Sequence, residues 1–316
     1  MKIVVLEAGV MTPGGLSLEA YRQFGEVTEY HTTKQHQVIE RIGDADIILL
    51  NKLIIDKTVM DACKNLKYIG LFATGFNTID VKYAAEKGIV VCNAGSYSTA
   101  AVAQHTVALM LNHFNRIADY HNAVQAGVWE KSELTTLYDF PTDEVEGKTM
   151  GIIGYGHIGK RVAGLCKAFG MKVIVHTRTP KAEEGIEFVS FDELLGRSDV
   201  ISLHCPLTDQ SRLMMNGEAF KKCKKGALLI NTARGGLVDE KALKEAVESG
   251  HLSGAALDAI TVEPMRNCIL KGVENIVITP HAAWAPMSTR IKLLGITVDC
   301  IKAWLDGEPK NVVSKL

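Results

Sequence analysis

The sequence predicts an α/β protein made of two doubly wound parallel-sheet domains, and three observations lead to that fold class. Short apolar runs alternate with helical patterns through the first hundred residues. A glycine-rich turn, GIIGYGHIGK at residues 151–160, stands in the middle of the chain. Six more apolar runs lead into and follow that turn. Strands that alternate with helices are typical of βαβ units and hence of parallel sheets.

The first hundred residues are predicted to form one α/β domain. The opening MKIVVLEAGV is interrupted by Glu7, so it is expected to be a first strand rather than a signal peptide. The four near-continuous apolar runs indicate a sheet covered on both faces. These runs are KIVVLE, DIILLN, YIGLFA and IVVCN, and the helical patterns between them are SLEAYRQFG, HQVIERIG, KTVMDACKN and VKYAAEKG.

The middle of the chain is predicted to hold a long helix and an irregular segment. The helix is expected from about Thr99 to Val124, and residues 126–147 are polar and aromatic without a clear period. Connections of that length are usually functional or packed on a partner, so 126–147 is interpreted as an arm.

Six strand candidates belong to the second half, which is the number of strands in a complete Rossmann sheet. They are TMGIIG, KVIVHT, VISLHC, ALLINT, GAALD and NIVITP. A last helix is expected from about Pro286 to Leu305. For the tail, GEPKNVVSKL, the sequence leaves open whether it returns to the first sheet.

The predicted organisation is a discontinuous, flavodoxin-like substrate domain and a Rossmann cofactor domain. The first domain comprises 1–98 plus 286–316, and the second comprises 99–285, with the long helix and arm at about 99–147. Two domains of this kind predict a cleft between them, where small ligands bind.

Composition and charge argue against several classes of function. The 316 residues include 35 Lys and Arg against 36 Asp and Glu, a balance that gives no electrostatic footprint for nucleic acid. No apolar run approaches the roughly 20 residues of a membrane span. Seven scattered cysteines without C-x-x-C argue against a disulfide framework or a zinc site. We therefore expect a cytoplasmic protein with no nucleic-acid or membrane partner.

The glycines of the mid-chain turn fit G-x-G-x-x-G between a strand and a helix, the dinucleotide-binding pattern. Gly154 allows the tight turn, Gly156 lets a pyrophosphate approach the backbone, and Gly159 allows the helix to pack on the strand. His157 and Ile158 are expected to offer backbone N–H groups to the phosphates. The alternative is a turn that serves packing only.

The residues after the second Rossmann strand bear on the choice between NAD and NADP. An NAD site usually has Asp or Glu there, bonded to the ribose hydroxyls. This chain has Thr177 and Arg178, with Lys181 nearby. The missing carboxylate and the arginine favour NADP, because guanidinium groups bind phosphate well. The alternative for Arg178 is a surface arginine without a ligand.

Ligands of open α/β sheets bind beyond the carboxyl ends of the strands, which selects candidate site residues. Reduction of a carbonyl needs a proton donor, a cation that polarises the carbonyl, and a group that holds the donor in place. Histidine, arginine and a carboxylate supply these. The strand-end candidates are Ala73, Thr74 and Gly75; His204, Cys205 and Pro206; Thr232, Ala233 and Arg234; Asp258 and Glu263; and His281 with Trp284.

Two histidines compete for the role of proton donor. His281 has Glu263 on a neighbouring strand end, and a carboxylate partner stabilises imidazolium. His204 is followed by Cys-Pro, as in a loop that merely turns. Position therefore favours His281. The alternatives are a structural histidine at 281 and a salt-bridge residue at Arg234.

These segments resemble the D-isomer-specific 2-hydroxyacid dehydrogenases nearly end to end. The matching segments are ATGFNTIDVKYAAEKGIVVCNA, GKTMGIIGYGHIGKRVA, LHCPLT, INTARGGLVDEKAL, GAALDAITVEP and TPHAAW. The resemblance implies that Arg234, Glu263 and His281 are the catalytic residues. Within the family the chain is most similar to the glycerate dehydrogenase (hydroxypyruvate reductase) branch.

The resemblance implies further roles. The backbone N–H groups of Thr74 and Gly75 would hold the substrate carboxylate beside Arg234, and Asp258 would face the nicotinamide. The long helix and arm would build a homodimer, and no metal would be used. The residues implied to contact NAD(P), in addition to the glycine turn, are Thr177, Arg178, His204, Cys205, Pro206, Thr232, Ala233, Arg234, Asp258, His281, Ala283 and Trp284.

The expected reaction is reduction of a small 2-keto acid, hydroxypyruvate or glyoxylate, to the D-2-hydroxy acid with NAD(P)H, or the reverse. Three alternatives stay open. A phosphite dehydrogenase would share the same Arg, Glu and His. A 3-phosphoglycerate dehydrogenase often carries a regulatory domain beyond the point where this sequence ends, at Leu316. A dinucleotide-sensing, corepressor-like protein would bind cofactor and turn over little substrate.

Overall fold

The computed structural model describes residues 1–314, which divide into two compact units. Unit 1 comprises Met1–Ser98 and the segment that starts at Ala285, and unit 2 comprises Thr99–Trp284. Each unit contains a parallel β-sheet. Among the helices of residues 1–314, none combines the length and the apolar character needed to cross a membrane.

The strands are short and mostly buried, as the apolar runs of the sequence predict. Unit 1 contains the first five and unit 2 the remaining seven. In chain order the strands are β1 Lys2–Val5, β2 Glu26–Glu29, β3 Ile47–Leu50, β4 Tyr68–Leu71, β5 Val90–Cys92, β6 Thr149–Ile153, β7 Lys172–His176, β8 Glu187–Phe188, β9 Val200–Leu203, β10 Ala227–Asn231, β11 Leu252–Leu257 and β12 Ile276–Ile278.

Local capping fixes the start of several helices. Asp56, for example, accepts a hydrogen bond from the amide of Val59 at 3.0 Å, which satisfies one of the free N–H groups of the first turn. In chain order the helices are α1 Val38–Ile42, α2 Lys57–Ala62, α3 Val81–Glu86, α4 Thr99–Asn115, α5 Ile117–Gln125, α6 His157–Ala168, α7 Phe191–Arg197, α8 Gly217–Lys222, α9 Glu240–Glu248 and α10 Met287–Leu305.

The sheet of unit 1 has the strand order β2-β1-β3-β4-β5, which is the flavodoxin-like order. The prediction of a flavodoxin-like sheet is therefore confirmed. The four predicted strands are present, but β2 was missed. Val27 is the one buried residue of β2, so no apolar run marks this edge strand in the sequence.

The tail after α10 returns to the sheet of unit 1, the point that the sequence left open. Val312 forms an antiparallel bridge with Cys92. The amide of Val313 donates to the carbonyl of Val91 at 2.8 Å. The tail thus lies along the outer edge of β5, as far as Ser314, the last described residue.

The sheet of unit 2 has the order β12-β11-β10-β9-β6-β7-β8, all parallel. The run from β8 to β11 is the Rossmann order 3-2-1-4-5-6, so the predicted Rossmann fold is confirmed. The predicted count of six strands is wrong, because the two-residue strand Glu187–Phe188 adds an edge. The order reverses between β6 and β9, and the glycine turn follows β6 at that switch point.

The predicted long helix is broken in two. Arg116 adopts a left-handed conformation, φ 52°, between α4 and α5. Its Nη1 donates to Oδ1 of Asn275 at 3.0 Å, and its Nε donates to Asp119. These contacts hold the break, which a helical pattern alone does not reveal. The prediction of one helix reaching Val124 is therefore wrong.

Candidate active site

The glycine turn closes tightly between β6 and α6. Gly154 has φ 95°, and a Cβ atom at Gly159 would lie 2.2 Å from the carbonyl oxygen of Gly154. Gly156 is the N-cap of α6 and has no side chain to accept a hydrogen bond. Apart from its neighbours in the chain, no described residue has an atom within 4 Å of its Cβ position. Within residues 1–314, the amides of His157 and Ile158 in the first turn of this helix donate to no protein acceptor. These features fit the pyrophosphate of a dinucleotide.

The loop after β9 lies directly against the glycine turn. A Cβ atom at Gly154 would lie 2.6 Å from the amide nitrogen of Cys205. Burial raises the pKa of the Cys205 thiol, and Pro206 is exposed. Cys205 and Pro206 therefore flank the position where a dinucleotide would contact the turn.

His204 precedes these residues, and its surroundings keep the imidazole neutral. Burial lowers the pKa of His204 to about 4. Its Nε2 lies 2.8 Å from Oγ of Ser202. An imidazole that is neutral at physiological pH is only a very weak acid, so the environment of His204 argues against it as the donor.

No carboxylate follows β7 directly. Thr177 is half-buried and Arg178 is exposed. The first carboxylate of this loop is Glu183, whose oxygens accept from the hydroxyl of Tyr155 at 2.9 Å and from the ammonium of Lys160 at 2.5 Å. Sequence reasoning missed this contact, because its partners stand 28 and 23 residues away. Glu183 is thus tied to the start of α6, and Arg178 is the charged group next to the strand end.

Asn231 shapes the turn that carries Arg234. Its Nδ2 donates to the carbonyl of Arg234 at 2.8 Å, and its Oδ1 accepts from the amide of Ala233 at 3.0 Å. Nη1 of Arg234 donates to the carbonyl of Ala233 at 2.8 Å, and the side chain is exposed. Thr232 is buried, with its hydroxyl 3.0 Å from that of Thr106 on α4. Asn231 was not among the predicted residues.

The loops after β10 and β11 pack backbone against backbone. A Cβ atom at Gly235 would lie 2.0 Å from the carbonyl carbon of Ile260. The amide of Ile260 in turn donates to Oε1 of Glu263 at 3.2 Å. Because glycine follows Arg234, the loop of Arg234 can lie against the loop that carries Glu263.

His281 follows β12, and its ring is paired with Glu263. Nδ1 of His281 lies 2.8 Å from Oε2 of Glu263, and the two side chains are 24% and 23% exposed. His281 has φ 53°, a conformation that non-glycine residues adopt mainly where surrounding contacts impose it. With Nδ1 engaged, Nε2 is the nitrogen left to exchange a proton with a bound molecule. Ala283 is buried and Trp284 half-buried just beyond.

Asp258 is buried, and its carboxylate holds the chain on both sides of His281. Oδ1 accepts from the hydroxyl of Thr279 at 2.6 Å and from the amide of Ala282 at 2.8 Å. Oδ2 accepts from the amide of Ala283 at 3.0 Å. The expectation that Asp258 also faces the nicotinamide stays a prediction.

Thr74 and Gly75 follow β4 in unit 1. The carbonyl of Thr74 accepts from Nδ2 of Asn93 at 2.7 Å, and its hydroxyl donates to the carbonyl of Gly95. Within residues 1–314, the amides of Thr74 and Gly75 donate to no protein acceptor. Successive free amides of this kind suit an anion.

Comparison with known families matches residues 107–283 to the family model "D-isomer specific 2-hydroxyacid dehydrogenase, NAD binding domain". The chain is 40% identical to a hydroxypyruvate reductase of Blautia hydrogenotrophica over the full length of both proteins. It is 38% identical to a glycerate dehydrogenase of Methylorubrum extorquens, over 91% of this chain and 92% of that protein. It is 37% identical to a glyoxylate reductase of Thermococcus litoralis, over 88% and 86%.

Solved structures show the same architecture. The TT0316 protein of Thermus thermophilus superposes with a TM-score of 0.90 at 35% identity, covering 99% of this chain and 100% of that one. An acyclic imino acid reductase in complex with NADPH and D-Arg superposes with a TM-score of 0.88 at 30% identity, with the same coverage of both chains.

Proposed function

The chain belongs to the D-isomer specific 2-hydroxyacid dehydrogenase family, and from this premise we propose that it reduces hydroxypyruvate or glyoxylate to the D-2-hydroxy acid. The reverse reaction uses the same groups. The observation that carries the proposal is the His281–Glu263 pair at 2.8 Å, in a chain similar over its full length to a hydroxypyruvate reductase. The relatives named glycerate dehydrogenase and glyoxylate reductase support the same substrate class.

His281 is the proposed proton donor. Glu263 accepts a hydrogen bond from Nδ1, which fixes the orientation of the ring. The Nε2–H group is then free to protonate the oxygen of the keto group as negative charge develops there. General acid catalysis of this kind is worth roughly 10²- to 10⁴-fold in rate.

Arg234 is the proposed cation that orients the keto acid and polarises its carbonyl. Its guanidinium is exposed, and its backbone is fixed by Asn231. A fixed positive charge lowers the energy of the developing alkoxide more than that of the neutral ketone. In the same proposal, the free amides of Thr74 and Gly75 bind the substrate carboxylate. Unit 1 is then the substrate domain and unit 2 the cofactor domain.

A nicotinamide dinucleotide supplies the hydride when it is bound. The unpaired amides of His157 and Ile158, together with the room at Gly156, are the proposed site of its phosphates. We propose NADP in preference to NAD. Arg178 is exposed at the end of β7, whereas Glu183, the first carboxylate beyond it, is bonded to Tyr155 and Lys160.

A substrate panel tests the reaction. The purified protein is assayed with hydroxypyruvate, glyoxylate, pyruvate, phosphohydroxypyruvate and phosphite, each with the appropriate form of both dinucleotides. We expect hydroxypyruvate or glyoxylate to give the highest kcat/KM, at least about tenfold above pyruvate. Phosphohydroxypyruvate or phosphite as the best substrate would assign the chain to a sibling enzyme. Tight dinucleotide binding without turnover would indicate a sensor.

The arm is proposed to form a homodimer contact. Several of its large apolar side chains are exposed, Leu134 at 62%, Tyr138 at 77% and Trp129 at 48%. Exposed apolar side chains concentrated in one segment fit an interaction surface. We expect a dimer by light scattering and a monomer for Leu134→Glu. Ile291→Glu, at a position of similar exposure outside the arm (54%), should stay dimeric. A wild-type monomer would contradict this.

A cytoplasmic location is the last part of the proposal. All seven cysteines are free thiols, and most of them are buried. Free thiols persist in reducing compartments such as the cytosol.

A further inference from the structure

His105 on α4 is joined to the loop of His281 by an unbroken chain of hydrogen bonds. Nε2 of His105 lies 3.0 Å from Oγ1 of Thr279, two residues before His281. Oγ1 of Thr279 lies 2.6 Å from Oδ1 of Asp258. Nε2 of His105 is itself 3.6 Å from that oxygen. His105 is therefore the outermost member of the network that surrounds the Asp258 carboxylate.

The direction of each hydrogen bond in this chain follows from the groups themselves. A threonine hydroxyl has one proton, and the carboxylate of Asp258 can only accept. The Thr279 proton therefore goes to Asp258, and His105 must donate its Nε2–H to the threonine oxygen. The network thus fixes which nitrogen of His105 carries a proton.

The network supports a strained turn. Asp258 accepts the amides of Ala282 and Ala283, immediately after His281, and the hydroxyl of Thr279 before it. Between these anchors His281 has φ 53°. A residue other than glycine keeps this backbone conformation only where its surroundings impose it. Loss of an anchor would let His281 rotate away from Glu263.

We propose that His105 is a positioning residue, which acts through Thr279 and Asp258 to hold the His281 imidazole against Glu263. The inference rests on the proposed role of His281 in keto-acid reduction. The titratable groups in these contacts are Glu263, at the imidazole of His281, and Asp258 and His105, on the backbone side of the loop. His105 itself touches no reacting atom.

His113 provides a matched control on the same helix. Its Nε2 lies 3.0 Å from Oγ of Ser253, so it makes the same kind of histidine-to-hydroxyl contact. It stands eight residues further along α4, about 12 Å away by helical rise. Ser253 belongs to the body of β11, not to a strand-end loop. Loss of His113 should therefore affect packing without affecting the turn of His281.

The test compares His105→Ala, Thr279→Val and His113→Ala with the wild type in kinetics, thermal melting and NMR. Thr279→Val removes the hydroxyl at nearly constant volume. The conservative variant Thr279→Ser keeps a hydroxyl at position 279. His105→Gln keeps a hydrogen-bond donor at position 105. The NMR measurement follows the Nδ1–H proton of the His281 ring, assigned with His281→Asn, because its chemical shift and exchange rate report the hydrogen bond to Glu263. This readout does not depend on turnover.

We expect His105→Ala and Thr279→Val to lower kcat about tenfold, because small misplacements of a catalytic group are costly. KM for the keto acid should stay within about twofold, since the network does not include Arg234. The Nδ1–H signal of His281 should exchange faster with solvent, because its hydrogen bond to Glu263 loosens. Thr279→Ser and His105→Gln should keep kcat and the His281 signal close to those of the wild type. His113→Ala should change neither quantity.

Two results would overturn the inference. One is a wild-type kcat and a wild-type His281 Nδ1–H signal in both His105→Ala and Thr279→Val. The other is an equal loss of kcat in His105→Ala and His113→Ala. A wild-type protein that reduces no keto acid would instead overturn the proposed function, and the His281 Nδ1–H signals would still decide the positioning role.

Discussion

At the scale of single residues, His281 has two features that a proton donor needs. One ring nitrogen is bound to a carboxylate at 2.8 Å, and the other is left for the substrate. His204 lacks the carboxylate partner: its Nε2 contacts Ser202 instead, and burial lowers its pKa to about 4. The two histidines differ in environment rather than in sequence context.

Replacing His281 tests the proposed donor. We expect His281→Asn to lower kcat by roughly 10²-fold or more, because the proton must then come from water. Dinucleotide affinity and thermal stability should stay close to those of the wild type. Steady-state kinetics with fluorescence titration of the reduced cofactor measure both quantities. Full turnover in the variant would rule out the assigned role.

Replacing Arg178 tests the preference between the two dinucleotides. If its guanidinium binds a 2′-phosphate, Arg178→Ala should weaken NADPH binding about tenfold, the range of one charge-assisted contact. NADH binding should change little. Arg161→Ala, at an exposed arginine on α6, serves as a control for loss of surface charge. Equal weakening of both dinucleotides by Arg178→Ala would contradict the NADP proposal.

At the scale of elements, the β6 turn and α6 depend on the missing side chain of Gly159. The backbone of Gly154 occupies the space where a Cβ atom of Gly159 would lie, at 2.2 Å. A backbone atom cannot rotate away as a flexible side chain can. α6 can therefore pack this closely against the turn only because residue 159 has no side chain.

Two glycine-to-alanine variants of α6 should have opposite effects. Gly159→Ala should lower stability by about 1–3 kcal/mol, the usual cost of overpacking, and weaken dinucleotide binding. Gly164 lies in the middle of the same helix and is exposed; apart from the neighbouring helix backbone, no described atom lies within 4 Å of its Cβ position. Gly164→Ala should raise stability by roughly 0.5–1 kcal/mol. Urea denaturation and cofactor titration check both, and identical behaviour of the variants would contradict the packing argument.

At the scale of the whole molecule, two histidines link the stability of the fold to pH. Burial lowers the pKa of His204 to about 4. The pKa of His113 is also lowered to about 4, by burial first and then by the charge of Arg116. In an unfolded chain the pKa of a histidine is about 6.5. The folded state therefore binds these two protons more weakly than the unfolded state.

The sign of the pH effect follows from this difference. Between about pH 6.5 and pH 4 the unfolded chain takes up the protons and the native chain does not, so the free energy of unfolding falls as the pH falls. Above about pH 6.5 these groups contribute their full stabilisation. Urea midpoints at about pH 7.5 and pH 5 should differ in the wild type and differ less in His113→Gln. An equal difference in both proteins would contradict the assignment.

The parts of the fold that the sequence predicted have strong local patterns. Central strands such as β3 and β10 are buried along their whole length, so each appears as an apolar run. The edge strands β2 and β8 were missed, because β2 buries one side chain and β8 is only two residues long, with neither buried. The break at Arg116 was missed because its cause, the contact with Asn275, lies 159 residues away.

The residues of the candidate site also fall into two groups, those that the sequence could select and those that only the structure revealed. His281, Glu263 and Arg234 could be selected from the sequence, because parallel strands bring their carboxyl ends to one edge of the sheet. His105 and Glu183 could not. His105 meets Thr279 across 174 residues, and Glu183 lies in a loop without a periodic pattern. In both cases the side chain meets a partner that only the folded chain brings near.

The sequence by itself determined the two parallel sheets, the glycine turn and the strand ends that carry reactive side chains. These depend on local periodicity and on the space that a glycine leaves. Only the tertiary structure decided which histidine lies against a carboxylate, which is buried and neutral, and which supports the loop of another. Those properties depend on burial and on distances between atoms far apart in the chain, and a linear pattern contains neither.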